Sequence, residues 1–279
     1  MAAFLLASAA GAAQGADDSA RWYLRVDNDF FFNTDRWYSS GVRVARVRDG
    51  WELGVAQEIY TPEAKHPNLV DRAPAGRLFA SVAKHDAGDD FLQTLEVDAG
   101  VRGPSALGEQ TTRAIHEVVH APHVDWSRQL PDAFDGSVIV ARTQSIPGVP
   151  LRAHFGATLG TQVTFIHAGL EARFGDARAP SSALLRFAAT PPFADGARGW
   201  SYYAGASARA VARNELLDVG YREGEPAPTM RSTVTRIAGG LAWSGSWGSL
   251  TFDLVQESRE FVEQRVAQRF GSIAVHATF

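Results

Sequence analysis

The stretch RAIHEVVHAPH, residues 113–123, places His116 one helical turn after Thr112 and one turn before His120. An imidazole titrates near neutral pH, so His116 is a natural general base. With His120 and His123 it also suggests a transition-metal cluster, since imidazole suits zinc or copper. Pro122 interrupts the helix before His123 and disfavours a three-histidine site. A second group lies far away in sequence, in VDNDFFFNTDRWYSSGVRV, residues 26–44. There Asn28 and Asp29 close one alternating run and Ser39 opens the next. An amide, a carboxylate and a hydroxyl can orient or attack a substrate. The same residues also suit an ordinary turn, because Asn and Asp favour turn conformations. Asp35 and Arg36 read as a rim ion pair worth little.

The elements that must position these groups are strands. After residue 20 the chain alternates with period two, as in WYLRVDND, where Trp22, Leu24 and Val26 share one face. About twelve such segments of ~8 to 13 residues follow one another, a length that suits tilted membrane-spanning strands. A soluble sandwich would alternate too, but the turns favour a barrel. Tight links at 48–50, 147–148 and 244–246 trade with long ones at 30–37, 60–75, 102–134 and 214–230. The link at 175–199 breaks that rule and carries APSSALLRF, which suggests a small helix. The expected fold is all-β: one transmembrane antiparallel barrel over residues 20–279. Residues 1–19 resemble a secretory signal without its basic start. No later stretch reaches ~18 uninterrupted apolar residues, so no spanning helix is expected.

The composition agrees. Charged residues make up 21% of the 279 and apolar ones 45%, so the chain is not disordered. A net charge of −4 gives no pull toward nucleic acid, and the absence of cysteine excludes disulfides and thiolate metal sites. The last strand, GSIAVHATF, ends in Phe279 with alternating apolar residues. That ending resembles the signature of outer-membrane barrels delivered to the barrel assembly machinery. Trp22, Trp37, Trp200, Tyr202 and Tyr203 fit interfacial aromatic girdles. Counting strands from a periplasmic N-terminus brings Asn28, Asp29, Ser39 and the loop holding His116 to one extracellular rim. In that loop, PSALGEQTTRAIHEVV reads as a helix with Ser105 as N-cap and Leu107, Ala114, Ile115, Val118 and Val119 as its apolar positions.

Four blocks, NDFFFNTDRWYSSGVRV, AQEIYTP followed by DRAPAG, DAGVRGPSALGEQTTRAIH, and DWSRQL, resemble the LpxR-type lipid A 3′-O-deacylases in order and spacing. They cover residues 28 to 130; the remainder is similar only as barrel strands and the terminal Phe. The resemblance implies a twelve-stranded outer-membrane barrel with a lateral active site at the outer leaflet. It implies calcium-dependent hydrolysis of the ester that holds the 3′-acyloxyacyl chain on lipid A. By motif, Asn28 and Asp29 correspond to the family's Asn-Asp pair, Ser39 to its Thr or Ser, and His116 to its histidine. Lys65 corresponds to a loop lysine. Three positions depart from the pattern: Thr112 stands where Gln is common, Pro122 where some members have Glu, and DRAPAG with Arg77 where DRPYAGW is usual.

Ester hydrolysis needs an activated nucleophile and a holder for the oxyanion. On the resemblance, His116 deprotonates water, while Asp29 and Asn28 hold a calcium ion that polarises the carbonyl. Ser39 positions water or substrate, and Lys65, Arg72 and Thr112 meet the substrate, the two cations through lipid A phosphates. A Ser39-His116-Asn28 arrangement with an acyl-enzyme is the second mechanism. Activated water is preferred because the family tolerates Thr at the serine position. The expected partners are lipopolysaccharide and the outer membrane, with the protein a monomer. Alternatives are a phospholipase on the same scaffold and a non-catalytic pore or structural barrel.

Overall fold

The computed structural model describes residues 21–63, 70–175, 184, 198–218 and 227–278. Twelve strands run in sequence: β1 (Arg21–Asn28), β2 (Trp37–Arg48), β3 (Trp51–Thr61), β4 (Ala75–Ala87), β5 (Phe91–Arg102) and β6 (Ala133–Ser145). They continue as β7 (Leu151–Gly160), β8 (Val163–Gly175), β9 (Gly199–Asn214), β10 (Thr233–Gly245), β11 (Gly248–Glu257) and β12 (Gln268–Thr278). Each pairs antiparallel with its neighbours, and β1 closes on β12, so Leu24 lies between Val44 and Val275. Closure leaves no strand edge unpaired, which a bilayer requires.

Which face is apolar separates a membrane barrel from a soluble sandwich. The apolar face points outward: Leu53 and Ile237 are each 60% exposed. The polar face points in: Glu52 and Glu96 are 0% exposed. A protein in water would reverse this pattern, whereas hydrocarbon outside and a polar lumen require it. Buried charges must be paired. Arg77 of β4 accordingly forks onto Asp135 at 2.8 and 3.1 Å and reaches Glu58 at 2.7 Å. Arg43 bridges Glu52 and Glu96, at 2.9 and 2.7 Å. A small polar cavity remains among Arg25, Arg43, Arg77 and Asp98.

The loops separate as expected. Asp49 and Gly50, with φ of 52° and 72°, make the tight turn between β2 and β3. Trp22, Trp51, Trp200, Tyr202 and Trp247 are exposed near that same end. Two expected girdle residues are not in the girdle: Trp37 is buried edge-on against Phe261, and Tyr203 points into the lumen and donates to Asp253 at 2.6 Å. The alternation along β9 decides this, since Tyr202 faces lipid and its neighbour must face inward. At the other rim lie the long connections after β1, β3, β5, β9 and β11. Residues 1–20, Lys65 and Phe279 lie outside the described residues. So does the segment APSSALLRF, expected to form a small helix, apart from Leu184, whose side chain is buried in a cluster with Phe165 and Tyr203.

Candidate active site

The connection from β5 to β6 begins with a 3-10 turn, Pro104–Ala106, and continues as helix α1 (Gly108–Val119). Ser105 does not cap it. Leu107 stands between turn and helix at φ 59°, and Ser105 instead donates its N–H and hydroxyl to the Asp132 carboxylate, both at 2.8 Å. The helix lies against the outside of the barrel. Gly76 faces outward from β4, and Gly108 meets it so closely that a Cβ on Gly76 would stand 3.0 Å from Gly108 N. Outward-facing Gln57 of β3 donates to the Ala106 carbonyl at 2.7 Å. Trp126 closes over Gly108 from the far side.

The helix buries a narrow polar strip instead of its apolar residues. Gly108, Thr112 and His116, four residues apart, are its buried residues, while Ile115 and Val119 are exposed and Val118 is 79% exposed. In water such a helix would bury its valines. Beside a bilayer the apolar face belongs outside and the polar face can line a site. The Thr112 hydroxyl is buried there without a hydrogen-bond partner among the described residues.

The wall opposite α1 is shaped by a β-bulge. Tyr38 pairs with Tyr60 in the lumen, but the next pair is Ser40 with Ile59, so Ser39 is the extra residue. Without the bulge, alternation would send one of the two serines into the lumen. Ser39 instead shares a short hydrogen bond with Thr61 on the outer face. Asn28 ends β1 beside Ser40, and its Oδ1 accepts from Phe30 N at 2.7 Å, capping the 3-10 turn Asp29–Phe32. The buried Asp29 carboxylate accepts from Arg36 N at 2.8 Å and from the Thr34 hydroxyl at 3.1 Å. Burial above all, with the Asp35 charge added, pushes its pKa up to about 8 against those hydrogen bonds.

His116 is held at Nδ1 and faces a carboxylate at Nε2. Nδ1 lies 2.5 Å from the Pro122 carbonyl oxygen, and Nε2 lies 3.5 Å from Asp35 Oδ2. No cluster of three metal-ligating His, Asp or Glu side chains occurs among the described residues. His120 and His123 are exposed, so the three-histidine metal reading has no geometry behind it.

The family model for the outer membrane protein LpxR matches residues 1–279, the whole chain. The protein belongs to the LpxR family. Its fold is similar to that of LpxR from Salmonella typhimurium, at a TM-score of 0.78 and 18% identity over 93% of this chain and 100% of that one. Less similar are the CymD monoaromatic hydrocarbon channel (TM-score 0.44, 11% identity, 94% and 89% covered) and the translocator domain of autotransporter NalP from Neisseria meningitidis (0.39, 10%, 96% and 90%). No curated protein matches the sequence. Family and barrel together place the chain in the bacterial outer membrane, with the long-loop rim on the extracellular side.

In this LpxR-family barrel, Asn28, Asp29 and Ser39 lie on the wall at the extracellular rim and Thr112 and His116 on the helix against that wall, with Asp35 of the β1–β2 connection reaching His116. Arg72 does not join them. Its guanidinium is buried inside the barrel, over the Tyr60 ring at 4.9 Å and 3.4 Å from Glu260, so it cannot serve as the expected phosphate contact. Next to it, the Asp71 carboxylate braces the backbone N–H groups of Glu63 and Arg72 at 2.8 and 2.7 Å. Asp35 and Arg36 are not a rim pair, because Arg36 reaches Glu63 at 2.7 Å and Asp35 faces His116. Asp35, Thr61 and the Pro122 carbonyl were missed. A main-chain oxygen has no sequence signal, and Asp35 was masked by the arginine next to it.

Proposed function

We propose that the protein is a lipid A 3′-O-deacylase, hydrolysing the ester of the 3′-acyloxyacyl chain in the outer leaflet through water activated by His116. The observation that carries this reading is a buried imidazole on the lipid-facing side of the barrel wall, on a helix that turns Ile115, Val118 and Val119 outward. A base so placed is suited to a substrate that lies in the membrane. His116 takes a proton from water as its oxygen adds to the ester carbonyl carbon; collapse expels the sugar alkoxide, and the imidazolium returns the proton to it. The Thr112 hydroxyl, without a partner among the described residues, offers the ester or the water a hydrogen bond. Asn28 and Asp29 fit calcium in kind, being hard oxygen donors, and the buried Asp29 carboxylate has no cationic side chain hydrogen-bonded to it among the described residues. When bound there, calcium would polarise the carbonyl and stabilise the oxyanion. Lys65 remains the proposed phosphate contact.

The serine-nucleophile reading has less support. An attacking serine should be hydrogen-bonded to its base, and the Ser39 hydroxyl is engaged with Thr61 instead. Purified protein incubated with lipopolysaccharide and, separately, with phospholipid tests the assignment by mass spectrometry of the products. Release of the 3′-acyloxyacyl group, lost in His116→Ala, is expected. Hydrolysis of phospholipid with lipid A intact would assign a phospholipase instead.

A further inference from the structure

We infer that the main-chain carbonyl of Pro122 and Asp35 together position His116: the carbonyl fixes the neutral ring with its proton on Nδ1 and its lone pair on Nε2, and Asp35 receives the imidazolium formed when Nε2 takes a proton. A carbonyl oxygen can only accept, so an Nδ1 held 2.5 Å from it must carry hydrogen. The backbone makes this contact by design of the helix end. His120 takes a left-handed φ of 55°, and Ala121 N returns to the His116 carbonyl at 3.0 Å. That reversal carries Pro122 back over the ring. Proline, which looked like a lost acid at this position, therefore supplies an acceptor from its backbone.

With Nδ1 fixed, Nε2 is the nitrogen that can take a proton. When it does so, the new N–H faces Asp35 Oδ2 at 3.5 Å, and the imidazolium gains a carboxylate neighbour. Arg36 is drawn away to Glu63 and does not occupy the space between them. The titratable groups on the elements around His116 are Asp29, Asp35 and Arg36 before β2, Glu63 after β3, Glu109, Arg113 and Glu117 on α1, and His120, His123 and Asp125 after it. Among the described residues Asp35 is the one carboxylate within ion-pair distance of the ring, and it forms the pair once Nε2 is protonated. Asp35 is thus a positioning residue, acting through His116 rather than on substrate.

The kinetic consequence rests on the deacylase reading; the tautomer does not. The test uses full-length protein in detergent micelles with 15N-labelled histidine, the His116 signals being assigned by their loss in His116→Gln. The Nδ1-protonated form is expected at high pH, and an Nε2-protonated ring would overturn the frame. Asp35→Asn should lower the His116 titration midpoint. On lipopolysaccharide it should cut kcat about tenfold with KM unchanged and move the acid limb of the pH profile to lower pH, with recovery in Asp35→Glu. An unchanged midpoint in Asp35→Asn, or a change in KM alone, would overturn the role of Asp35. A correct tautomer and midpoint shift in a protein that deacylates nothing would uphold the frame and reject the deacylase.

Discussion

Gly76 touches no reacting group, yet filling it should slow the reaction. A Cβ at that position would lie 3.0 Å from Gly108 N, 3.1 Å from Gly108 Cα and 3.2 Å from Ala106 Cβ. Relaxed carbon pairs sit about 3.5–4.0 Å apart, so Gly76→Ala must push the start of α1 outward by roughly half an ångström. His116 rides on the same helix, two turns along. Misplacing a catalytic group by about 1 Å costs on the order of 100-fold, so Gly76→Ala should lose about tenfold in kcat and the bulkier Gly76→Val about 100-fold. The barrel should remain folded, because the new methyl meets the helix and not the strands. The assay is turnover on lipopolysaccharide micelles, with the gel mobility of unheated protein reporting the folded barrel. Ala80→Val, exposed to lipid on the same strand, is the control and should be neutral. Wild-type kcat in a folded Gly76→Val would refute the claim that the gap between wall and helix is the working site.

Three further outcomes are expected. Ser39→Ala should keep far more activity than His116→Ala in the same turnover assay; equal losses would restore the serine nucleophile. Arg77→Met leaves Glu58 and Asp135 buried without their cation and should destabilise the barrel by about 3–5 kcal/mol, read from denaturant unfolding in detergent. Planar bilayers containing the protein should show no steady conductance, because ion pairs such as Arg43 with Glu52 and Glu96 cross the lumen; open-channel currents would favour the pore reading.

Strand number and the rim position of the site were legible because alternation and turn length record which surface faces lipid. The orientation of α1 was not. Its apolar residues mark a buried face only if the surrounding solvent is water, and here Val118 and Val119 face outward beside a membrane. Ser39 could be named by motif, but one extra residue in a strand leaves no trace in the pattern, so its route to the outer face through a bulge was invisible. Arg72 failed for a related reason. A loop arginine was expected to face the substrate, while the chain turns it inward to Glu260, a residue near the other end of the sequence. The Gly76–Gly108 contact joins two unremarkable glycines whose meaning appears only when helix and strand meet.

The central claim is deacylation of lipid A, and mass spectrometry of lipid A from cells with and without the gene, grown in calcium, tests it most directly. Cells carrying the gene should show lipid A lighter by one 3′-acyloxyacyl group, and His116→Ala or calcium chelation should restore the full mass. An unchanged spectrum from cells whose outer membrane contains the folded protein would contradict the account.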